Sequence, residues 1–287
     1  INTALTNSII DGTIETQANK AIDLIVTFAE SDYIMDSTTV QEIQNMRANG
    51  TFTRCYNGKG KESASCHWHT AQEAARYSGQ LAIIANLTKP YMDYKELTIT
   101  DNYLNALYKD YIKPWFYSSG SGDTDGRGFY QMGHGGVSML AYAHWKNRKD
   151  IAEDTFNDTF KYIDYAIFDQ GGYINNNSFR GVRGYWYHSS GLNNMLGMTA
   201  LAEEYNYPVA DKIYNKLTDA VQFLNQDAEE YLAWLASLPK HNSVKGNSYA
   251  SFNGKDIYIG NASWKHQNSR NYIHQEAVFL TEMAETY

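Results

Sequence analysis

Apolar residues recur at helical spacing along most of this chain, and this periodicity limits its fold more than any other feature. Near the start, Ala18, Ile22 and Ile25 fall on one helix face, which Val26 and Ala29 extend. Similar spacing predicts further helices over 68–86, 101–117, 136–147, 150–168, 187–206, 208–237 and from 271 to the end. The clearest strand signal lies within 248–260, where an Asn-Gly pair is typical of a β-hairpin turn. The sequence therefore predicts an all-α fold with a minor hairpin near 248–260.

Four of the predicted helices start alike, with a histidine and, in most cases, aromatic neighbours. The starts are Cys66-His67-Trp68-His69, Gln131-Met132-Gly133-His134, Trp186-Tyr187-His188 and Asn271-Tyr272-Ile273-His274. Because the helices also come in pairs, this weak internal repeat predicts an incomplete (α/α) toroid of antiparallel helix pairs, forming one domain over 1–287. The inner helices of a toroid converge with their N-termini near one cleft. Since helix N-termini carry partial positive charge and free N–H groups, that cleft would favour an anionic ligand.

The net charge narrows the set of partners. The 287 residues carry a formal net charge of −8, which argues against nucleic acid and anionic membrane surfaces. No apolar run reaches the ~18 residues that suggest a membrane span. The charge also opposes long-range attraction of an acidic polymer, but a local basic cleft can outweigh it because charges are screened beyond ~8 Å at physiological salt. We expect a monomer.

Three features indicate a secreted, extracellular protein. The chain starts at Ile1 without a methionine, which is typical of a processed N-terminus. Cys55 and Cys66 flank a polar loop, and we expect them to form one disulfide, with two free thiols as the alternative. Sequons for N-glycosylation occur at Asn49, Asn86, Asn157, Asn176 and Asn261.

The segment from 180 to 188 concentrates residue types that handle acidic sugars. It contains Arg180, Arg183, Trp186, Tyr187 and His188. Guanidinium groups pair with carboxylates, aromatic rings stack on sugar faces, and a phenol or an imidazole can move protons. A polymer of uronic acids, which carry a carboxylate beside C5, is the substrate class that this combination suits best.

Such a polymer can be cut by β-elimination, in which a base removes the C5 proton and the 4-linked sugar leaves. Charge develops on the carboxyl group, so a cation or an amide must neutralise it. The proton transfer needs a group of intermediate basicity, such as a tyrosine whose pKa is lowered by a nearby cation. Arg180 or Arg183, together with His134 and Tyr187, fits this requirement.

Residues 129–203 resemble the core of the alginate lyase family, single-domain polysaccharide lyases with an incomplete α/α toroid. The resemblance rests on Met132-Gly133-His134, on the two arginines that lead into Tyr187-His188, and on Leu201-Ala202-Glu203. It implies that Tyr187 is the catalytic base and acid, that His134 neutralises the carboxylate or acts as a base, and that Arg180 holds the carboxylate or tunes the tyrosine.

The chain departs from the family at Gly133, where the family has an asparagine. A carboxylate-neutralising amide must then come from elsewhere, and the candidates are Gln131, Gln72 and Asn193. The expected substrate is alginate or polymannuronate, with glucuronan next. We expect further substrate contacts from Arg183, His188, Gln131, Trp186, His69, His67 and Gln72.

Other kinds of site are less well supported by the spacing. His67 and His69 are two residues apart, so on a helix they do not face the same side, and a third metal ligand is not evident. We expect no metal and no other cofactor. The alternatives to a lyase are a glycoside hydrolase that uses Asp169, Glu203 or Glu204, and a protein that binds acidic polysaccharides without cleaving them. Glu203 lies about four turns along the helix from Tyr187, which disfavours the hydrolase.

Overall fold

The computed structural model describes residues 14–51, 67–118, 131–169, 171–174, 177, 184–226, 249–252 and 255–258. Of these interpretable residues, 81% are helical, which confirms the predicted dominance of helix. The chain divides into two compact units, Ile1–Thr155 and Phe156–Tyr287. The single domain and the toroid stay predictions.

The elements follow one another along the chain with short connections inside each described range. In chain order they are α1 (Ile14–Glu30), α2 (Val40–Ala48), α3 (His67–Thr88), a 3₁₀ turn (Lys89–Tyr91), α4 (Tyr94–Leu107), a π-helical turn (Tyr108–Ile112), α5 (Lys113–Phe116), a second π-helical turn (Gln131–Gly135), α6 (Gly136–Lys146), α7 (Lys149–Ala166), α8 (Gly184–Glu204), α9 (Asp211–Gln226), β1 (Tyr249–Phe252) and β2 (Lys255–Tyr258). The two strands pair antiparallel, with Tyr249 opposite Tyr258. Within the described residues, no helix is long and apolar enough to cross a membrane.

Periodicity misses two helix starts that local capping explains. It does not predict α2, and it places the start of α4 at 101 instead of Tyr94. Both helices begin with a capping box, in which Thr39 and Asp93 accept a hydrogen bond from the backbone N–H three residues on, at Glu42 and Glu96. Each glutamate carboxylate in turn accepts a hydrogen bond from the backbone N–H of the capping residue.

In the first unit, helix α3 packs closely against α6. Ser138 Oγ lies 3.4 Å from Ala75 O, and Asn86 Nδ2 donates to Ala141 O over 2.8 Å. Because these pairs advance along both helices together, α3 and α6 run in the same general direction. The face of α3 that allows this approach is rich in small buried residues, among them Ala71, Ala75, Ser78, Gly79, Ala82 and Ala85.

Helix α4 runs antiparallel to α6 and is held to it by polar contacts. Tyr142 donates a 2.7 Å hydrogen bond to Asn105, and Lys146 forms an ion pair of 2.7 Å with Asp101. Helix α6 ends at Lys146 and is capped by Asn147, which has a left-handed backbone with φ of 52°. The apolar core of this unit includes the fully buried side chains Ile22, Ile25, Leu104, Tyr111, Trp115 and Phe116.

In the second unit, α8 and α9 form an antiparallel pair. His188 near the start of α8 bonds to Ala220 late in α9, whereas Glu203 at the end of α8 accepts a 2.5 Å hydrogen bond from Tyr214 early in α9. Lys216 is 7% exposed, and its ammonium donates to the carbonyls of Asp164 and Ile167 at the end of α7. These bonds satisfy carbonyls that a helix end leaves without partners.

The contact of α3 with α6 depends on Gly79. A Cβ at this position would overlap the Ser138 side chain and lie 2.9 Å from Ser138 Cα. We expect Gly79→Ala to lower the free energy of unfolding by about 1–3 kcal/mol, because the overlap forces the helices apart. Urea unfolding followed by circular dichroism measures the change.

Gly197 on α8 is the matched control. No atom lies within 4 Å of a Cβ built there, so Gly197→Ala should leave the stability equal or raise it by up to ~1 kcal/mol through helix propensity. A Gly79→Ala chain as stable as the Gly197→Ala chain would contradict the close packing of α3 on α6.

Candidate functional site

His134 lies in the π-helical turn Gln131–Gly135, directly before α6, and its side chain is half-buried. Single π-helical turns are frequent at functional sites. The turn packs against α3 and α5. His134 therefore lies in a turn packed against α3, and part of its side chain is open to solvent.

Arg76 and Glu73 of α3 are the charged neighbours of His134. They form an ion pair of 2.8 Å one helical turn apart, with 39% and 43% of their side chains exposed. Burial lowers the pKa of His134 below its ordinary 6.5, the positive charge of Arg76 lowers it further, and Glu73 opposes them. The imidazole is therefore neutral at pH 7 and can accept a proton.

Arg76 is the residue of this site that the sequence reasoning missed. Its guanidinium is partly exposed, it lies 5.2 Å from the ring centre of Tyr77, and its Nε is buried without a hydrogen-bond partner. A guanidinium in this state has donors left for a carboxylate. The sequence could have indicated Arg76, because it is four residues after the predicted contact Gln72 and so shares its helix face.

The predicted amide donors next to His134 differ in their access to solvent. Gln131 is 3% exposed, so its amide belongs to the packed interior of the turn. Gln72 is partly exposed on α3. Of the two, Gln72 is the one that can reach a ligand beside Arg76. Asn193 is exposed on α8 in the second unit.

Gly135, the residue after His134, serves packing. A Cβ at Gly135 would lie 3.2 Å from Phe116 Cα and 3.3 Å from Trp115 Cδ1. The small residue therefore allows the turn to approach α5, which holds the His134 backbone against the apolar core. This close approach of two backbones explains the glycine without a ligand.

Tyr187 and His188 lie in the first two turns of α8 and have different environments. Tyr187 is half-buried. His188 is fully buried, its Nε2 is 2.9 Å from Ala220 O, and its ring lies 4.7 Å from that of Phe223. Burial lowers the pKa of His188 to about 4, against the opposing effect of the hydrogen bond to Ala220. His188 has no surface for a substrate, so its predicted substrate contact is replaced by a packing role.

Several predicted site residues lie outside what the structure describes. Arg180, Arg183, Cys55, Cys66, Asn176 and Asn261 are outside the described residues, and for His67, His69 and Trp186 only the helical backbone is described. Helix α3 does begin at His67. Their predicted roles stay predictions.

The three described sequon asparagines differ in accessibility. Asn49 at the end of α2 and Asn157 on α7 are exposed. Asn86 donates its side-chain N–H groups to Ala82 O and Ala141 O, both at 2.8 Å. Because the amide of Asn86 is engaged between α3 and α6, Asn49 and Asn157 are the better candidates for a glycan.

Two of the three carboxylates considered for a hydrolase are engaged elsewhere. Glu203 accepts the hydrogen bond from Tyr214, and Asp169 forms an ion pair of 2.9 Å with Lys216. Among the residues that the structure describes, no group of three or more His, Cys, Asp or Glu side chains could hold a metal ion. No protein-family model, curated protein or solved structure matches this chain.

Proposed function

We propose that this chain is a polysaccharide lyase that cleaves a 4-linked uronate polymer by β-elimination. The observation that carries the proposal is the half-buried imidazole of His134, in a turn that packs against α3, within reach of the charge of the partly exposed Arg76 guanidinium, which lowers its pKa. One group can take a proton at neutral pH, and the other can neutralise a carboxylate. A uronate needs both, because the C5 proton is acidic only when the neighbouring carboxylate is neutralised.

In the proposed reaction, the Arg76 guanidinium binds the uronate carboxylate with its free donors. A base removes the C5 proton, and the electron pair of that C–H bond forms a double bond between C4 and C5. The C4–O bond breaks, and the leaving oxygen takes a proton from an acid. His134 is the candidate base. The role of Tyr187 as base and acid is what the resemblance implies, and it rests on the sequence alone. Gln72 supports the carboxylate from the same face of α3.

The toroid belongs to this proposal. Helices α3 and α6 run in the same general direction, as neighbouring inner helices of a toroid must, and α4 runs antiparallel to α6 as its outer partner. The proposed inner helices α3 and α6 each start beside a histidine. Secretion, the disulfide, the glycans and the monomeric state are proposed on the sequence features alone.

The test is incubation of the whole protein with alginate, polymannuronate, polyguluronate and glucuronan. We expect an ultraviolet absorbance that rises with time on at least one of them, because elimination leaves a double bond conjugated with the carboxyl group. A neutral 4-linked polymer should give no rise. New reducing ends without this absorbance would instead identify a hydrolase, and binding without cleavage would identify a binding protein; either result rejects the lyase.

A further inference from the structure

The first unit carries a groove at the end of α6 away from His134. The groove has a volume of about 380 Å³ and is open to solvent. Helix α6, at 1.5 Å per residue, spans roughly 15 Å between His134 and this groove. The lining residues come from the 3₁₀ turn, α4 and the end of α6, and they are Lys89, Tyr94, Leu97, Thr98, Asp101, Asn102, Trp145 and Lys146.

Two ammonium groups are fixed at this groove by contacts within the protein. Lys89 Nζ donates to Trp145 O over 2.9 Å and lies 4.4 Å from the centre of the Trp145 ring. Lys146 Nζ is held by both carboxylate oxygens of Asp101, at 2.7 and 3.0 Å. An ammonium has three N–H donors, so each retains at least one for a ligand. The orientation of both groups is set before a ligand arrives.

The charges at the groove favour an anion. Lys89 and Lys146 contribute two positive charges and Asp101 one negative charge, in a chain with a net charge of −8. Asp101 also accepts a 3.0 Å hydrogen bond from Trp145 Nε1. The carboxylate is thus occupied by protein donors, and the surplus of positive charge remains for a ligand.

An exposed aromatic ring stands at the same groove. Tyr94 is 86% exposed, the largest exposed fraction among the large hydrophobic residues of the described chain. Tyr91, three residues earlier, is 37% exposed. A tyrosine offers an apolar face with a polar edge, which suits one face of a sugar ring. The exposed amide of Asn102 adds a group that can bond to hydroxyls.

We propose that this groove is a second saccharide-binding site, which takes one or two residues of an acidic sugar chain. The sugar carboxylate pairs with Lys89 and Lys146, and the sugar ring stacks on Tyr94. The choice of a uronate among acidic sugars rests on the proposed function. The proposal of an anionic sugar at this groove rests on the groove and its charge alone. A site roughly 15 Å from His134 would hold a polymer on the protein between cleavages.

The indole N–H of Trp145 is a reporter for this groove, because it bonds to Asp101. Six tryptophans give few ¹⁵N indole signals, and the Trp145→Phe variant assigns the one that matters. The ligands are trisaccharides of mannuronate, guluronate and glucuronate, with the neutral cellotriose as the control. All chains also carry Arg76→Met, so that elimination does not consume the ligand. We expect the Trp145 signal to shift and saturate with a uronate and to stay in place with cellotriose.

The second arm tests the aromatic platform. Tyr94→Ala should weaken binding at the Trp145 reporter roughly fivefold, as expected for the loss of one stacking ring. Tyr165→Ala, which removes a 53% exposed tyrosine of the second unit, should leave the affinity unchanged. The site is rejected if the Trp145 signal does not shift with any of the uronate trisaccharides, or if it shifts equally with cellotriose. An unchanged affinity after Tyr94→Ala also rejects it. If the protein cleaves no uronate polymer but a uronate trisaccharide shifts the Trp145 signal as described, the proposed lyase function is rejected and the second binding site is supported.

Discussion

Replacing Arg76 with methionine should lower kcat/KM on the uronate polymer by about 10²–10³-fold, the usual effect of removing one donor from a developing anion. Methionine keeps an unbranched stem of similar reach, but it removes the guanidinium that the proposal places on the carboxylate. The measurement is the initial rise in ultraviolet absorbance over a range of polymer concentrations. Arg76→Lys should recover part of the loss, since it restores the charge without the planar fork.

The matched control is Arg47→Met, which removes an exposed arginine of α2. It should leave both kcat and KM unchanged. The thermal unfolding of both variants should stay close to that of the parent chain, because the ion pair of Arg76 is with a partly exposed glutamate one turn away and contributes little to stability. A parental rate in a folded Arg76→Met chain would show that the guanidinium does not act on the substrate.

The same variant has a second readout in the pH dependence of the rate. Arg76 helps to hold the pKa of His134 below 6.5, after burial, which is the larger cause. Without this positive charge the imidazole binds its proton more readily, so the acidic limb of the rate profile should move to higher pH. An unmoved limb would therefore remove His134 as the base.

Replacing His188 with glutamine should remove a pH-dependent share of stability worth roughly 3 kcal/mol. The pKa of His188 is about 4 in the folded chain, because the ring is buried, and 6.5 is its ordinary value. Between these values the unfolded chain binds a proton that the folded chain does not. The stability from this residue is therefore complete above pH 6.5 and is lost as the pH falls towards 4.

The measurement is urea unfolding, followed by circular dichroism, at pH values from 7.5 to 4.5. The parent chain should lose stability steeply across this range, and His188→Gln should lose less, because glutamine can keep a hydrogen bond to Ala220 O without titrating. His144 on α6 is exposed, and His144→Gln should keep the parental slope. A full parental slope in His188→Gln would contradict the neutral, buried state of His188.

Much of the helical part of this fold follows from local patterns. The spacing predicts α1, α3 and α6 to within a few residues, because each buries one apolar face at helical period. Helix α2 is missed because it is short and starts at a capping box instead of an apolar repeat. The bond between Lys216 and the end of α7 joins residues about fifty positions apart, and no local pattern reports such a contact.

For the candidate site, the sequence places His134 and His188 alike, each at a helix start, and the structure leaves His134 half-buried. His188 has the same kind of sequence surroundings but a different outcome. It faces α9, where Phe223 and the carbonyl of Ala220 enclose it, whereas His134 faces the charged side chains of α3. Which neighbour covers a side chain is settled by helix packing, so the two histidines could not be told apart from the sequence.

Most of the helices and the negative net charge can be predicted from the sequence alone, because periodicity depends on residues a few positions apart and net charge depends only on composition. The influence of the Arg76 charge on the pKa of His134 arises from tertiary packing, which sets the turn of His134 against α3. Tertiary packing also decided that Lys89 and Lys146 share one groove with Tyr94. Electrostatic pairs and pKa values depend on distances across the fold and on exclusion of water, and both arise only when the helices pack.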